Sequence, residues 1–454
     1  MNSAATFDYQ LMNTLLGEVS EINDVLHHHR VNAGVMFNDV HITSTYIRYR
    51  ITLNKGVRVS RVTKLKNELI DRLSRSRGQT TDIRINEAPL VLEVPHPFPS
   101  IIKYIDSHLI APKYSMVIGQ SDENLRTEDV TIDLNKKPHT LIAAETGGGK
   151  SVLMTGAILS LAENNHPDDL VIHLIDFKND NLLPLKSLPH VDGHAYEAEA
   201  ATRMLTKLQA IMELRISGED TSKTKHLLCV DEILEAVKHY PQIKAIIERF
   251  TALGRSNGMH VFAATQHPLA SEIGSIIKAN FTTRIVGKVT SSEASKLAAG
   301  ISKVGAESLP GAGSFILVDG GKRTRVQSYF VEGDETEAVV ASIIQRYGSK
   351  EDFGEDRLSS ELDKYLALRQ QHGRTIGHYA TDVVEYATMP TVQELFVAYY
   401  DRDLGEMRRG YQDRMTKAIF GEKAYKGGWM RKKVLDVVDL LRANLHLVEE
   451  YYED

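Results

Sequence analysis

The chain has 454 residues, a formal net charge of -6 and one cysteine. That length holds two or three domains, each able to bury a core. The single cysteine, Cys229, excludes an internal disulfide, fits a reducing cytoplasm, and lies in an apolar run as a buried side chain would. The mildly acidic total excludes a protein coated in positive charge but leaves room for a local basic lining. The chain shows no apolar stretch long enough to span a membrane and no signal peptide, so a cytoplasmic protein without a membrane anchor is expected.

Residues 1–111 read as a small α/β domain. The opening to His29 mixes acids and amides with apolar residues at helical spacing. Ser44 to Leu53 alternates as a strand does, and Val62 to Leu73 has helical spacing. Asp82 to Ile85 and Leu90 to Val94 read as short strands, and Pro95, Pro97 and Pro99 mark a linker.

Residues 112–335 alternate strand and helix signals. Strands are expected at His139–Ala144, Leu170–Asp176, His226–Asp231, His260–Thr265, Thr283–Val289 and Ser314–Val318. Apolar strands separated by helices imply a parallel sheet covered on both faces, with ligands at the carboxyl ends of the strands. Residues 336–454 read as a mainly helical tail, with patterns near Glu361–Arg369, Thr391–Tyr399 and Lys432–Tyr451. Trp429, Arg431 and Lys432 in that tail would dock an unknown partner or pack as a cap.

The strand HTLIAA is followed at once by Glu145-Thr-Gly-Gly-Gly-Lys-Ser151 and then by a helical run. This is the strand–loop–helix setting of a phosphate loop. Glycines let backbone N–H groups converge on phosphates, and the helix start adds its positive dipole end. Thr146, Gly147, Gly148, Gly149, Lys150, Ser151 and Val152 are therefore the expected ATP-binding residues, with Lys150 on the β- and γ-phosphates and Ser151 on Mg²⁺. The usual first glycine is replaced by Ala144, which is small enough for a working loop.

The strand HLLCVDE ends in two acids. Asp231 would help hold Mg²⁺, and Glu232 would polarise the attacking water. Gln266 ends the next apolar strand, where an amide would sense the γ-phosphate. Asp176 and Lys178 share that rim and are assigned no catalytic role.

Taken in order, HTLIAAETGGGKSV, LIDFK, LLCVDEI, GRSNGMHVFAATQHP and IIKANFTTRIVGKV resemble the FtsK/SpoIIIE family of DNA translocases, a branch of the RecA-like P-loop motors. YIRYRITLNKGVRVSRVTKL and LVLEVP in the first domain are similar to that family's small α domain. The resemblance implies a RecA-like α/β motor with a smaller α/β domain in front, working as a hexameric ring on double-stranded DNA. It implies Arg284 as an arginine finger acting on a neighbour's nucleotide, with Arg255 as the other candidate. It also implies DNA-facing loops carrying Lys296, Lys303, Lys322, Arg323 and Arg325. His267 departs from the arginine usual after the sensor glutamine. A secretion ATPase of the type VII class and a DNA-bound scaffold with weak turnover are the alternatives.

Overall fold

The computed structural model describes residues 2–105, 107, 109–121, 127–218, 220–266, 280–354, 356–362, 386–387, 389–401, 406–420, 428–443 and 445. His267, the stretch from Ile276 to Ala279, and the tail pattern from residue 363 to 369 lie outside these.

The first 95 residues build a helix-backed sheet. Helix α1 (Asn2–His28) is followed by strands β1 (Val40–Ile42) and β2 (Tyr46–Arg50), helix α2 (Lys66–Arg77), and strands β3 (Arg84–Glu87) and β4 (Leu90–Pro95). The strands pair antiparallel in the order β1-β2-β4-β3. Their apolar face closes on α1 and α2 through Leu15, Ile22, Leu26, Tyr49, Leu69, Leu73 and Leu92, all buried. Each such side chain contributes about 1.5–3 kcal/mol when removed from water. Helix α2 ends where Gly78 takes a left-handed conformation (φ 69°), a C-cap that favours glycine.

A ten-stranded sheet carries the second region. Strands β5 (Ser115–Ser121), β6 (Glu128–Asp133) and β7 (His139–Ala143) precede helix α3 (Lys150–Glu163). Then come β8 (Leu170–Asp176), β9 (Val191–Ala195), α4 (Ala198–Ile216), β10 (Lys225–Asp231), α5 (Ile233–His239), α6 (Pro241–Leu253) and β11 (Met259–Thr265). After these follow β12 (Thr283–Val286), α7 (Ser292–Ala299), β13 (Ser314–Asp319), β14 (Lys322–Gln327) and α8 (Asp334–Tyr347). The order across the sheet is β9-β8-β10-β11-β7-β12-β13-β14-β5-β6. Pairing is parallel from β9 to β12 and antiparallel from β12 to β6.

Of the parallel strands, β7, β8, β10, β11 and β12 match the alternation read in the sequence, with bounds shifted by a few residues at most, whereas β9 was not expected. Of the antiparallel strands, β13 also matches the expected Ser314–Val318, but β5 and β6 were not expected. Strand β6 holds exposed Glu128 and Asp129 at the sheet edge and lacks the unbroken apolar run of a central strand. Helices α3 and α8 cover one face, and α4 and α6 cover the other. Helix α3 is buried over most of its surface, which explains its apolar composition. Cys229 sits in the centre of β10, fully buried, and burial pushes its thiol up. It is therefore inert as a nucleophile.

Three tail helices, α9 (Pro390–Tyr399), α10 (Tyr411–Phe420) and α11 (Gly428–Ala443), share a core of Val392, Phe396, Met415, Val434, Val437 and Leu441. Trp429, Arg431 and Lys432 lie in α11; their side chains are outside the described set. Among the described residues no helix is long and apolar enough to cross a membrane.

Candidate nucleotide site and basic surface

The loop between β7 and α3 leaves the sheet at its carboxyl edge. Its start is pinned on both sides, because Ala144 N–H donates to Thr265 C=O (3.2 Å) and Glu145 N–H donates to Lys288 C=O (3.1 Å). Gly147 and Gly149 have φ of 79° and 87°, which a side chain disfavours. Gly149 also lies against Gly313, whose backbone nitrogen would stand 3.1 Å from an added Cβ. Ala144 is fully buried, and its Cβ occupies the space that a side chain at Gly287 would need, 2.7 Å away. The alanine that departs from the usual loop pattern is thus matched by a glycine opposite.

Lys150 opens α3 and turns inward. Its Nζ lies 2.9 Å from Asp231 Oδ1 and 3.7 Å from Glu232 Oε2, with Lys150 and Asp231 almost completely buried. The other oxygen of Asp231 accepts from Asn181 Nδ2 at 2.8 Å. Glu232 has a left-handed backbone (φ 55°), an uncommon state for a residue with a long side chain. Its carboxylate accepts from Thr265 Oγ1 (2.8 Å) and from the Gln266 N–H (2.9 Å). Gln266 Oε1 in turn accepts from Thr146 Oγ1 at 3.0 Å. Strand β11 lies between β7 and β10, so Gln266 bridges the phosphate loop and the acids.

Thr146, Lys150, Asn181 and Gln266 line a cavity of about 620 Å³, to which Asp231 and Glu232 are joined through Lys150. One side is the loop from Glu145 to Val152. The other is formed by Ala312, Gly313 and Gln327 of the sheet, with Thr45 and Ile101 from the small domain and the linker. A volume of this size is in the range of small-molecule sites, roughly 300–1,000 Å³. The donor set fits a magnesium nucleotide: a glycine loop and a lysine for phosphates, a hydroxyl at Ser151 and a carboxylate at Asp231 for a hard cation.

Asn181 and Thr265 were not singled out in the sequence. Asn181 lies in a loop organised by Asp176, whose carboxylate accepts from the N–H groups of Lys178, Asp180 and Leu182. The only available sign was the polar run KNDN directly after a strand end. Asp176 holds this loop and does not pair with the side chain of Lys178 in any described contact.

The two arginine-finger candidates differ in setting. Arg284 begins β12, opposite Leu141, below the loop rather than beside it. Its Nε donates to Phe281 C=O (3.1 Å), and its Nη1 to Leu297 and Ala298 C=O (both 3.2 Å), which caps the end of α7. Arg255 is exposed just after α6.

Of the five basic residues expected to face DNA, Lys296, Lys303, Lys322 and Arg323 are exposed. Arg323 donates to Lys303 C=O (2.7 Å) and Ser302 C=O (3.1 Å), so hairpin and loop form one surface. Arg325 departs from the group. It turns into the domain boundary, where Nη1 meets Glu93 Oε2 at 2.9 Å and the guanidinium covers the Tyr46 ring at 3.7 Å. Two residues apart, both arginines leave the same face of β14, and it is Glu93 and Tyr46 that hold the second against the small domain.

Residues 102–232 match the FtsK/SpoIIIE family. The chain is 31% identical over 347 residues to the DNA translocase SftA of Bacillus subtilis, covering 69% of this chain and 36% of that protein. It is 28% identical over 362 residues to the DNA translocase FtsK of Sporosarcina ureae, covering 71% of this chain and 45% of that protein. The chain therefore spans less than half the length of these relatives. The solved structure of the pCW3 conjugation coupling protein TcpA, in monomer form with ATPγS, superposes with a TM-score of 0.50 at 17% identity, over 72% of this chain and 99% of that one. The shared fold is that of P-loop ATPases. The matched segment, residues 102–232, contains the loop before α3 and the acids Asp231 and Glu232, so this chain carries an FtsK/SpoIIIE family segment.

Proposed function

We propose that the chain is a Mg²⁺-dependent ATPase that moves along double-stranded DNA as a hexameric ring. The observation that carries the reading is the bonded cluster of Lys150, Asp231, Glu232 and Gln266 at the glycine loop, of which Lys150 and Gln266 line the cavity. The names of the relatives, DNA translocases, supply the substrate.

In this reading Lys150 releases Asp231 to meet the β- and γ-phosphates. Asp231 and Ser151 would hold Mg²⁺, which would supply charge neutralisation on the phosphate oxygens. Glu232 orients water and takes its proton; the bonds from Thr265 and Gln266 hold its carboxylate in place. Gln266 reports phosphate loss to Thr146 through their shared bond. Arg284 serves a neighbouring subunit by exchanging its α7 carbonyls for phosphate oxygens, and Lys296, Lys303, Lys322 and Arg323 track the DNA backbone by charge.

A triplex-displacement assay on duplex DNA tests the motor. ATP should release the third strand while a non-hydrolysable analogue leaves it bound. Equal release with both would remove translocation from the account.

A further inference from the structure

The linker between the two sheets is a braced strut. His96 N–H donates to Thr45 C=O and Ser100 N–H to Ser44 C=O, both at 2.8 Å, which ties the linker to the small domain. Phe330 N–H donates to Ile102 C=O (2.8 Å) and Tyr104 N–H to Phe330 C=O (2.9 Å), which ties it to the large one. Tyr104 is buried, and its Oη donates to Glu163 Oε2 at 2.5 Å, at the far end of the helix that follows the glycine loop. Ile101 stands between the two sets of bonds, so its backbone is held from both sides.

The side chains on this strut divide by task. Ile102 packs against the core of the large sheet. Ile101 is 66% exposed and lines the nucleotide cavity together with Pro99 and Phe330. Single exposed isoleucines are common on protein surfaces and mean little by themselves. Ile105 and Ile110 are of that kind, exposed but not part of this cavity's lining. Ile101 differs because its exposed side chain borders the space that the ligand has to occupy.

The cavity thus presents two kinds of wall. Gly147, Gly149, Lys150 and Ser151 offer donors and positive charge. The side chains of Pro99, Ile101 and Phe330 offer no donor, so they give nothing to a phosphate. A nucleobase is different: its flat faces stack against apolar side chains. Isoleucine is stiff at χ1, and here its backbone is fixed as well. The surface is therefore set before a ligand arrives, which lowers the entropy lost on binding.

We propose that Ile101 is the platform on which the base of the bound nucleotide lies, with Pro99 and Phe330 beside it. This rests on the nucleotide reading given above and adds to it the end of the ligand that the glycine loop does not hold. The platform meets the apolar face of a ring. It therefore contributes affinity for a base-bearing triphosphate and none for an inorganic polyphosphate.

Calorimetric titration of the full chain, in Mg²⁺, with AMP-PNP and separately with inorganic tripolyphosphate tests this. The wild type is compared with Ile101→Ser and Ile101→Leu. At 66% exposure neither substitution opens a hole in the core. Ile101→Ser should weaken AMP-PNP binding by about tenfold and leave tripolyphosphate binding within about twofold. Ile101→Leu keeps the apolar area and should bind AMP-PNP within about threefold of the wild type. Equal loss of both ligands in Ile101→Ser would overturn the platform and mark a structural role for the residue. Unchanged AMP-PNP affinity in that variant would overturn it too, while leaving the nucleotide pocket in place. A wild type that binds neither ligand would remove the pocket, and the platform with it.

Discussion

Lys150 and Asp231 meet at 2.9 Å in a buried ion pair, although 81 residues separate them in the chain. Asp231 is also held by Asn181, and Lys150 is within 3.7 Å of Glu232. The lysine is thereby held at the start of α3 beside the glycine loop, with both acids within 3.7 Å of its Nζ.

Glu232→Gln should separate binding from hydrolysis. The amide preserves the side-chain shape but gives up proton acceptance. Turnover should fall by about 10²-fold or more, the scale of a lost general base. Nucleotide affinity should stay within about threefold in a fluorescent-nucleotide titration. A variant with ordinary turnover would remove Glu232 from the chemistry.

Arg284→Ala should show two effects. Loss of two carbonyl partners at the end of α7 and of the Phe281 carbonyl should lower stability by about 1–3 kcal/mol, read by denaturant unfolding. Mixed into wild-type protein, the variant should also depress ATP hydrolysis more than dilution does. A strictly linear decline would leave the residue with the helix cap alone.

Gly287→Ala should destabilise the fold by about 1–3 kcal/mol, because the new methyl meets Ala144 Cβ at 2.7 Å and the Phe315 ring at 2.9 Å. Adding Ala144→Gly should recover part of that loss. Additive losses in the double variant would mean that the two positions do not compete for space.

Acid should weaken the fold through a row of buried histidines. Burial pushes His173 and His260 down to about 3 and His139 and His190 to about 4, and lowers His226 well below its ordinary value. His173 and His226 stack with centroids 5.4 Å apart, and protonating one places charge against the other and against Arg215. Depressed histidine values mean that the unfolded chain binds more protons below pH 6.5. Their contribution is complete above that pH and is lost as pH falls from 6.5 toward 4. At pH 5.5 His139, His173, His190 and His260 should each cost about 1.4 kcal/mol relative to pH 7.5 or above. Urea midpoints across that range check this; a flat profile from pH 7.5 to 5 would contradict it.

Strands β7, β8, β10 and β11 were legible because they are continuous apolar runs ending in polar residues with a chemical task. The edge strands β9 and β6 were not. Strand β9 carries Asp192, Gly193 and His194, and β6 is polar, so neither has a period that distinguishes it from a loop. At the site, Lys150 and the two acids were legible from the motif alone. Asn181 was not, because its position depends on a loop folded around Asp176. Arg325 shows the same limit: sequence places it in a basic turn, whereas Glu93 and Tyr46, 232 and 279 residues earlier, decide where it points.

The most direct test of the central claim is steady-state ATP hydrolysis with Mg²⁺, with and without duplex DNA, for the wild type and Lys150→Ala. The account predicts strong stimulation by duplex in the wild type and turnover at least about 100-fold lower in the variant. Equal rates with and without duplex, or a fully active Lys150→Ala protein, would contradict it.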